Sequence, residues 1–298
     1  MFKIILDFLV GTFLFIIFLI LKIVGKKVSS NICAWIFSFV GNLTRYENIA
    51  KKNILYVWPK KKNSEVKKIT NKMWKNIGRN FGELIHLQNY DPLNSRDTKI
   101  IDLRKIETLI LSNNKKKKGI VFFSAHFGNW ELGPIIIKKL GLDPLCVYRK
   151  SNNKFVEFLI QNIREKNGTY APKGDIGAKK SFLWLRKGKS LALLMDQKMN
   201  EGPAIEFLGK PSYTANFIAE IAIRMNLDIV PIKFSRNIKN QNTITFYEKI
   251  NMPQKYLNKN KKIKFILKQI NNTMSQWILN QPENWLWIHR RWQKDLYM

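Results

Sequence analysis

Cysteine is scarce. Cys33 and Cys146 are the only two in 298 residues, and neither lies in a CxxC or zinc-type spacing, so a disulfide framework and a local zinc site are both excluded. Both read as buried thiols on the reducing side of a membrane. Glycine and proline together number 25, which rules out collagen-like and low-complexity architectures. Acidic residues are few, 21 against 52 basic ones, and only 11 of the basic residues are arginine. GxSxG, P-loop, GxGxxG and HExxH patterns are absent, which removes local support for serine hydrolases, P-loop NTPases, dinucleotide enzymes and zincins.

What is present is a large apolar fraction, 45%, too high for a disordered polycation and enough for a sizeable core. The formal charge of +31 attracts anionic surfaces, either lipid headgroups or nucleic acid. Base and phosphate readers lean on arginine, so its scarcity favours a membrane surface and leaves nucleic acid resting on charge alone. Part of that charge also fits a Lys-, Ile- and Asn-rich compositional bias.

Phe8 to Leu21 is an uncharged run of 14 residues, and extension from Phe2 to Val24 reaches the length needed to cross a bilayer. No small-x-small cleavage site follows it, so residues 1–25 read as a transmembrane or membrane-anchor helix ahead of one domain over 26–298, the alternative being a hydrophobic helix that packs on the domain or lies in the interface. The basic residues behind the run place the rest of the chain in the cytoplasm. Ala34 to Val40 is a second, shorter apolar stretch, interfacial or core. Between Lys51 and Lys75 there are nine lysines and a single acid, Glu65: either a solvated helix face or a patch facing headgroups.

From Gly119 onward, β-rich runs alternate with helical spacing. Strands are expected at Ile120–Ser124, Pro144–Tyr148, Ser190–Met195, Ile229–Phe234 and Thr243–Glu248. Helices are expected at Asn129–Leu140, Lys154–Lys166, Gly177–Arg186, Ala215–Met225 and Lys262–Leu279. The alternation implies an α/β domain, with a central largely parallel or mixed sheet flanked by helices.

One constellation carries chemistry. Ser124-Ala125-His126-Phe127-Gly128-Asn129-Trp130-Glu131 leaves a strand and opens a helix, and ligands sit at the carboxyl ends of strands in open α/β sheets. Glu131 is placed to meet one ring nitrogen of His126, which would fix the tautomer and leave the other nitrogen as a general base for a hydroxyl. The bland alternative is a hydrogen-bonded structural histidine. His86, in a helical stretch, and His289, in the aromatic and cationic terminus, read as structural.

These residues resemble the lipid A late acyltransferases of the lauroyl and myristoyl type, a branch of the glycerolipid acyltransferases that share a His-(x)4-Asp/Glu motif. The likeness runs through five blocks in order: Ser124–Glu131; Val147-Tyr148-Arg149; Met195-Asp196-Gln197; Phe207-Leu208-Gly209-Lys210-Pro211; and Pro282–Arg291. Lys150 stands where the family usually has proline. The resemblance implies a glycerolipid-acyltransferase-like fold. It also implies transfer of a fatty acyl chain from acyl carrier protein to a hydroxyl of a lipid A precursor at the cytoplasmic face of the inner membrane, without metal or cofactor. His126 would be the base and Glu131 its orienting acid. Gly128 and Asn129 would contact substrate near the oxyanion. Arg149 would hold a phosphate of the acceptor or of the donor's phosphopantetheine. Asp196 would position Arg149 or the acceptor, or merely cap a helix. An acidic carrier protein would be steered by the +31 surface. Two alternatives accompany this expectation: another glycolipid or phospholipid acceptor, and a non-catalytic protein that binds anionic membranes.

Overall fold

In the computed structural model, which describes residues 2–298, a seven-stranded sheet is built in the order β1-β9-β8-β2-β5-β3-β4. All neighbours are parallel except β8 and β9. Four helices precede it: α1 (Phe2–Val24), α2 (Lys26–Val40), α3 (Arg45–Val57) and α4 (Asn63–Leu84). The alternating part then runs β1 (Thr98–Ile101), α5 (Leu103–Lys115), β2 (Ile120–Ser124), α6 (Leu132–Lys139), β3 (Pro144–Tyr148), α7 (Lys154–Arg164), β4 (Thr169–Pro172), α8 (Asp175–Arg186) and β5 (Ser190–Leu194). A separate antiparallel hairpin, β6 (Ala204–Phe207) and β7 (Lys210–Tyr213), is followed by α9 (Phe217–Met225), β8 (Asp228–Arg236), β9 (Asn242–Phe246) and α10 (Lys259–Asn280).

The expected α/β architecture with a mostly parallel sheet is therefore what the chain forms. The helix expected from Asn129 starts later, at Leu132, because residues 125–131 form an irregular turn instead. β2 is the central strand. All five of its residues are buried, as a strand covered on both faces requires. Val121 and Phe123 face one apolar cluster, which includes Trp277 and Trp285; Ile120 and Phe122 face another, with Ile136 and Phe234. Burying four such side chains fixes the height at which β2 stops, and so fixes where the turn carrying His126 begins. Among the described residues, α1 alone is long and apolar enough to cross a membrane.

Candidate active site

His126 sits two residues beyond the end of β2, and Asp196 two residues beyond the end of β5. The two strands are parallel neighbours with Ser124 opposite Leu194, so register alone brings these residues side by side. Asp196 is fully buried and grips His126 twice. Its Oδ2 accepts from the His126 backbone N–H at 2.9 Å, and its Oδ1 lies 2.8 Å from His126 Nδ1. The indole N–H of Trp285 donates to Oδ2 at 2.8 Å. Burial alone would raise the Asp196 carboxyl. The His126 ring outweighs it by charge and hydrogen bond, and together with His289 and Trp285 holds the carboxyl well below the usual carboxylate range. An ionised acceptor at Nδ1 keeps the proton there and leaves Nε2 as the basic nitrogen.

The expected pairing of His126 with Glu131 is not formed. Glu131 stands just ahead of α6 and turns to the other wall of the site, where both its oxygens are taken by Arg164 of α7. Nε donates at 3.0 Å and Nη2 at 2.5 Å. A forked guanidinium matches a carboxylate better than a single imidazole N–H does, and α7 supplies one within reach. Burial opposes the Arg164 charge, but Glu131 more than compensates and raises its pKa.

Gly128 and Asn129 are likewise occupied by the protein rather than free for substrate. The Gly128 N–H donates to the Asn284 carbonyl at 2.8 Å, and the Gly128 carbonyl accepts from the side-chain amides of Asn76 and Asn80. Gly128 has φ +56°, and an added Cβ would lie 2.3 Å from the Phe234 carbonyl oxygen, so glycine is required there. Asn129 is buried and donates to Glu83 at 2.9 Å. Glu83 in turn receives two bonds from Arg236, which also donates to Asn76 and Asn80. Burial disfavours the Glu83 charge, but Arg236 and Ser30 hold its carboxyl below the usual range. This buried knot joins α4, β8 and the turn, and it clamps the two residues that follow Phe127. The next three N–H groups, of Asn129, Trp130 and Glu131, donate to no acceptor among the described residues.

His289, expected to be merely structural, stacks on His126 with ring centroids 4.7 Å apart and edge-to-face geometry; Trp130 does the same at 5.1 Å from another side. Burial lowers the His289 pKa to about 4, with the His126 charge adding to the effect and Asp196 opposing it, so His289 is neutral near pH 7. The donor atoms of His126, Asp196 and His289 lie within 4.8 Å of one another, the spacing a metal ion would need. Both Asp196 oxygens already accept N–H bonds, which suits orientation of His126 better than ligation.

His126, Trp130 and Glu131 open onto a cavity of about 530 Å³. Its inner wall is apolar, with Phe122, Ile137, Ile232 and Phe234. Arg149, Lys173 and Lys198 also line it, and none of the three pairs with a carboxylate among the described residues. Burial of Cys146 in this wall pushes its thiol up to about 12, which leaves it un-ionised. The arrangement offers a fixed imidazole, unpaired backbone N–H groups, an apolar recess and free cations at one opening.

A comparison with curated proteins gave no match. The sequence profile of the family described as bacterial lipid A biosynthesis acyltransferase matches residues 2–294, nearly the whole chain. The chain belongs to the bacterial lipid A biosynthesis acyltransferase family.

Proposed function

We propose that this protein moves a fatty acyl chain from an acyl carrier protein thioester to a hydroxyl of a lipid A precursor, a late acylation at the cytoplasmic face of the inner membrane. The observation that carries the reading is the doubly held His126, its Nδ1 2.8 Å from a buried carboxylate, on the wall of a cavity with an apolar recess. In this mechanism Nε2 takes the proton of the acceptor hydroxyl as its oxygen attacks the thioester carbonyl. A C–O bond forms and the carbonyl oxygen becomes an oxyanion, which the N–H groups of Trp130 and Glu131, both on the cavity wall, are free to stabilise. Collapse breaks the C–S bond, and the imidazolium returns its proton to the departing thiolate. Asp196 stays ionised and stabilises the imidazolium; it is a positioning residue.

The apolar recess suits the acyl chain. Arg149, Lys173 and Lys198 suit phosphate on the acceptor or on the phosphopantetheine arm. Glu131 and Arg164 form the wall between recess and α7 and shape it as a pair.

The test is acyl transfer by purified protein from acyl carrier protein to lipid A precursor, read by mass spectrometry. Wild type should add one acyl chain, and His126→Ala should lose on the order of 10²–10⁴ in rate. A His126→Ala variant within a few-fold of wild type would remove the base. Binding to anionic vesicles without any transfer by wild type would favour the lipid-binding alternative instead. Transfer only to a different glycolipid or to a phospholipid would move the acceptor, not the mechanism.

A further inference from the structure

The apolar helix α1 does not stand away from the protein. One stripe of it, at Asp7, Gly11, Leu14, Phe18 and Leu21, faces the domain at the spacing of a helix packed on a helix. Asn153, at the start of α7, donates to the Asp7 carbonyl at 3.0 Å. The rings of Phe8 and Phe155 meet edge to face with centroids 5.3 Å apart. Gly11 lies so close to α7 that an added Cβ would sit 2.4 Å from that of Phe155. Further along, Phe18 and Leu21 share a buried cluster with Ile163 of α7 and Cys33 of α2. Residue numbers rise together along the two helices, so α1 runs parallel to α7 over the full length of α7.

The outward faces are apolar. On α1, Phe13 is 67% exposed; on α2, Trp35 is 71% and Phe39 66%; on α7, Phe158 is 64%. Val28, Ile32, Trp35 and Phe39 recur at helical spacing, so the outer side of α2 is one continuous stripe.

This docking conflicts with a perpendicular span. The 23 residues of α1 measure about 35 Å, enough to cross. Crossing while docked would drag α7 through hydrocarbon. Lys154, Glu157, Gln161 and Arg164 lie on α7, and Glu157 and Arg164 are bonded to Tyr148 and Glu131 at the cavity. Lying flat, α1 buries its outward face while α7 keeps its polar groups at headgroup level.

We infer that α1 lies lengthwise in one leaflet, and that its outward face forms a single lipid-facing surface with the outer stripe of α2 and with Phe155 and Phe158 of α7. The occupant is lipid. The surface is continuous with the helix whose composition alone suits a bilayer, and Lys3, Lys22 and Lys27 flank it as an anionic headgroup layer requires. The protein is then monotopic, with the cavity one helix away from lipid on the α7 side. The inference rests on the membrane reading above but not on the transfer chemistry, so labelling and turnover can fail separately.

The test uses the full chain in sealed proteoliposomes of phosphatidylethanolamine and phosphatidylglycerol. Cys33 and Cys146 are buried and stay in place as an unlabelled background. Ile4→Cys, Phe39→Cys and Phe158→Cys carry an environment-sensitive fluorophore, and Lys239→Cys marks the domain side. All three apolar positions should emit to the blue and lose most of their intensity to doxyl-labelled lipid. An impermeant maleimide should label Lys3→Cys, at the headgroup end of α1, only from the side that labels position 239. Labelling of Lys3→Cys solely from the opposite side would overturn the inference. So would water-like emission at positions 39 and 158, or blue emission there that doxyl lipid leaves unquenched, the sign of a second copy covering the surface.

Discussion

The two carboxylates nearest the candidate base behave in opposite ways. Asp196 lies beneath His126, fully buried, with both oxygens taken by the histidine and a tryptophan N–H. Glu131 lies on the facing wall, only partly buried, with both oxygens taken by Arg164. The acid five residues away in sequence shapes the wall, while the acid 70 residues away holds the base. Nearness along the chain counts for less than strand register, because β2 and β5 end level with each other and deliver residues 126 and 196 to the same height.

The largest expected effect separates these two acids. Asp196→Asn swaps an ionised acceptor for an amide that can also present its N–H to Nδ1, which favours the wrong tautomer. Transfer should fall on the order of 10²–10⁴-fold with the KM values little changed. Equal kcat in Asp196→Asn and wild type would erase the contrast. Glu131 should instead act through its guanidinium. Glu131→Ala and Arg164→Ala each strand a partly buried charge, so the double variant should lose no more than the worse single one. A double-mutant cycle in transfer rate should show coupling of about 1 kcal/mol or more. Strict additivity would mean that Glu131 has a role independent of Arg164.

A smaller effect sharpens the comparison from below. His289 has its pKa lowered to about 4 from 6.5, so the unfolded chain takes up a proton over that window while the folded one resists. Stability contributed by neutral His289 is present above pH 6.5 and is lost as pH falls toward 4. Asp196 acts in the same direction only below its unfolded value of 3.8, outside this window. In thermal melts, the Tm of His289→Phe should fall less between pH 6.5 and 4 than that of wild type. Parallel slopes would contradict burial of His289 as a neutral ring.

Much of the fold was legible from pattern. Pro144–Tyr148 is a strand over the expected residues, and the run at Ile120–Ser124 is the central strand. Buried parallel strands advertise themselves as short apolar runs, and that is what these are. The strands that escaped are β1, β4 and the β6–β7 hairpin, each four residues long and partly exposed, so alternation had too few positions to register. The hairpin turn uses Leu208 and Gly209, both at positive φ, and leucine gives no hint of that conformation.

The site was half legible. His126 stood out because a strand ends beside small residues, and Asp196 stood out as a strand-end acid, but their meeting depends on sheet order, which no local pattern states. The Arg236–Glu83 knot joins residues 153 apart and was invisible for the same reason. Gly128 and Asn129 looked like substrate contacts because they flank the histidine. The knot claims them, and only the N–H groups after it remain open.

The most direct test of the central claim is ¹⁵N NMR of protein labelled only at histidine, of which there are three. In its neutral form, His126 should show a protonated Nδ1 and an unprotonated Nε2, a pattern retained in Glu131→Gln and lost in Asp196→Asn. Loss in Glu131→Gln with retention in Asp196→Asn would contradict the account.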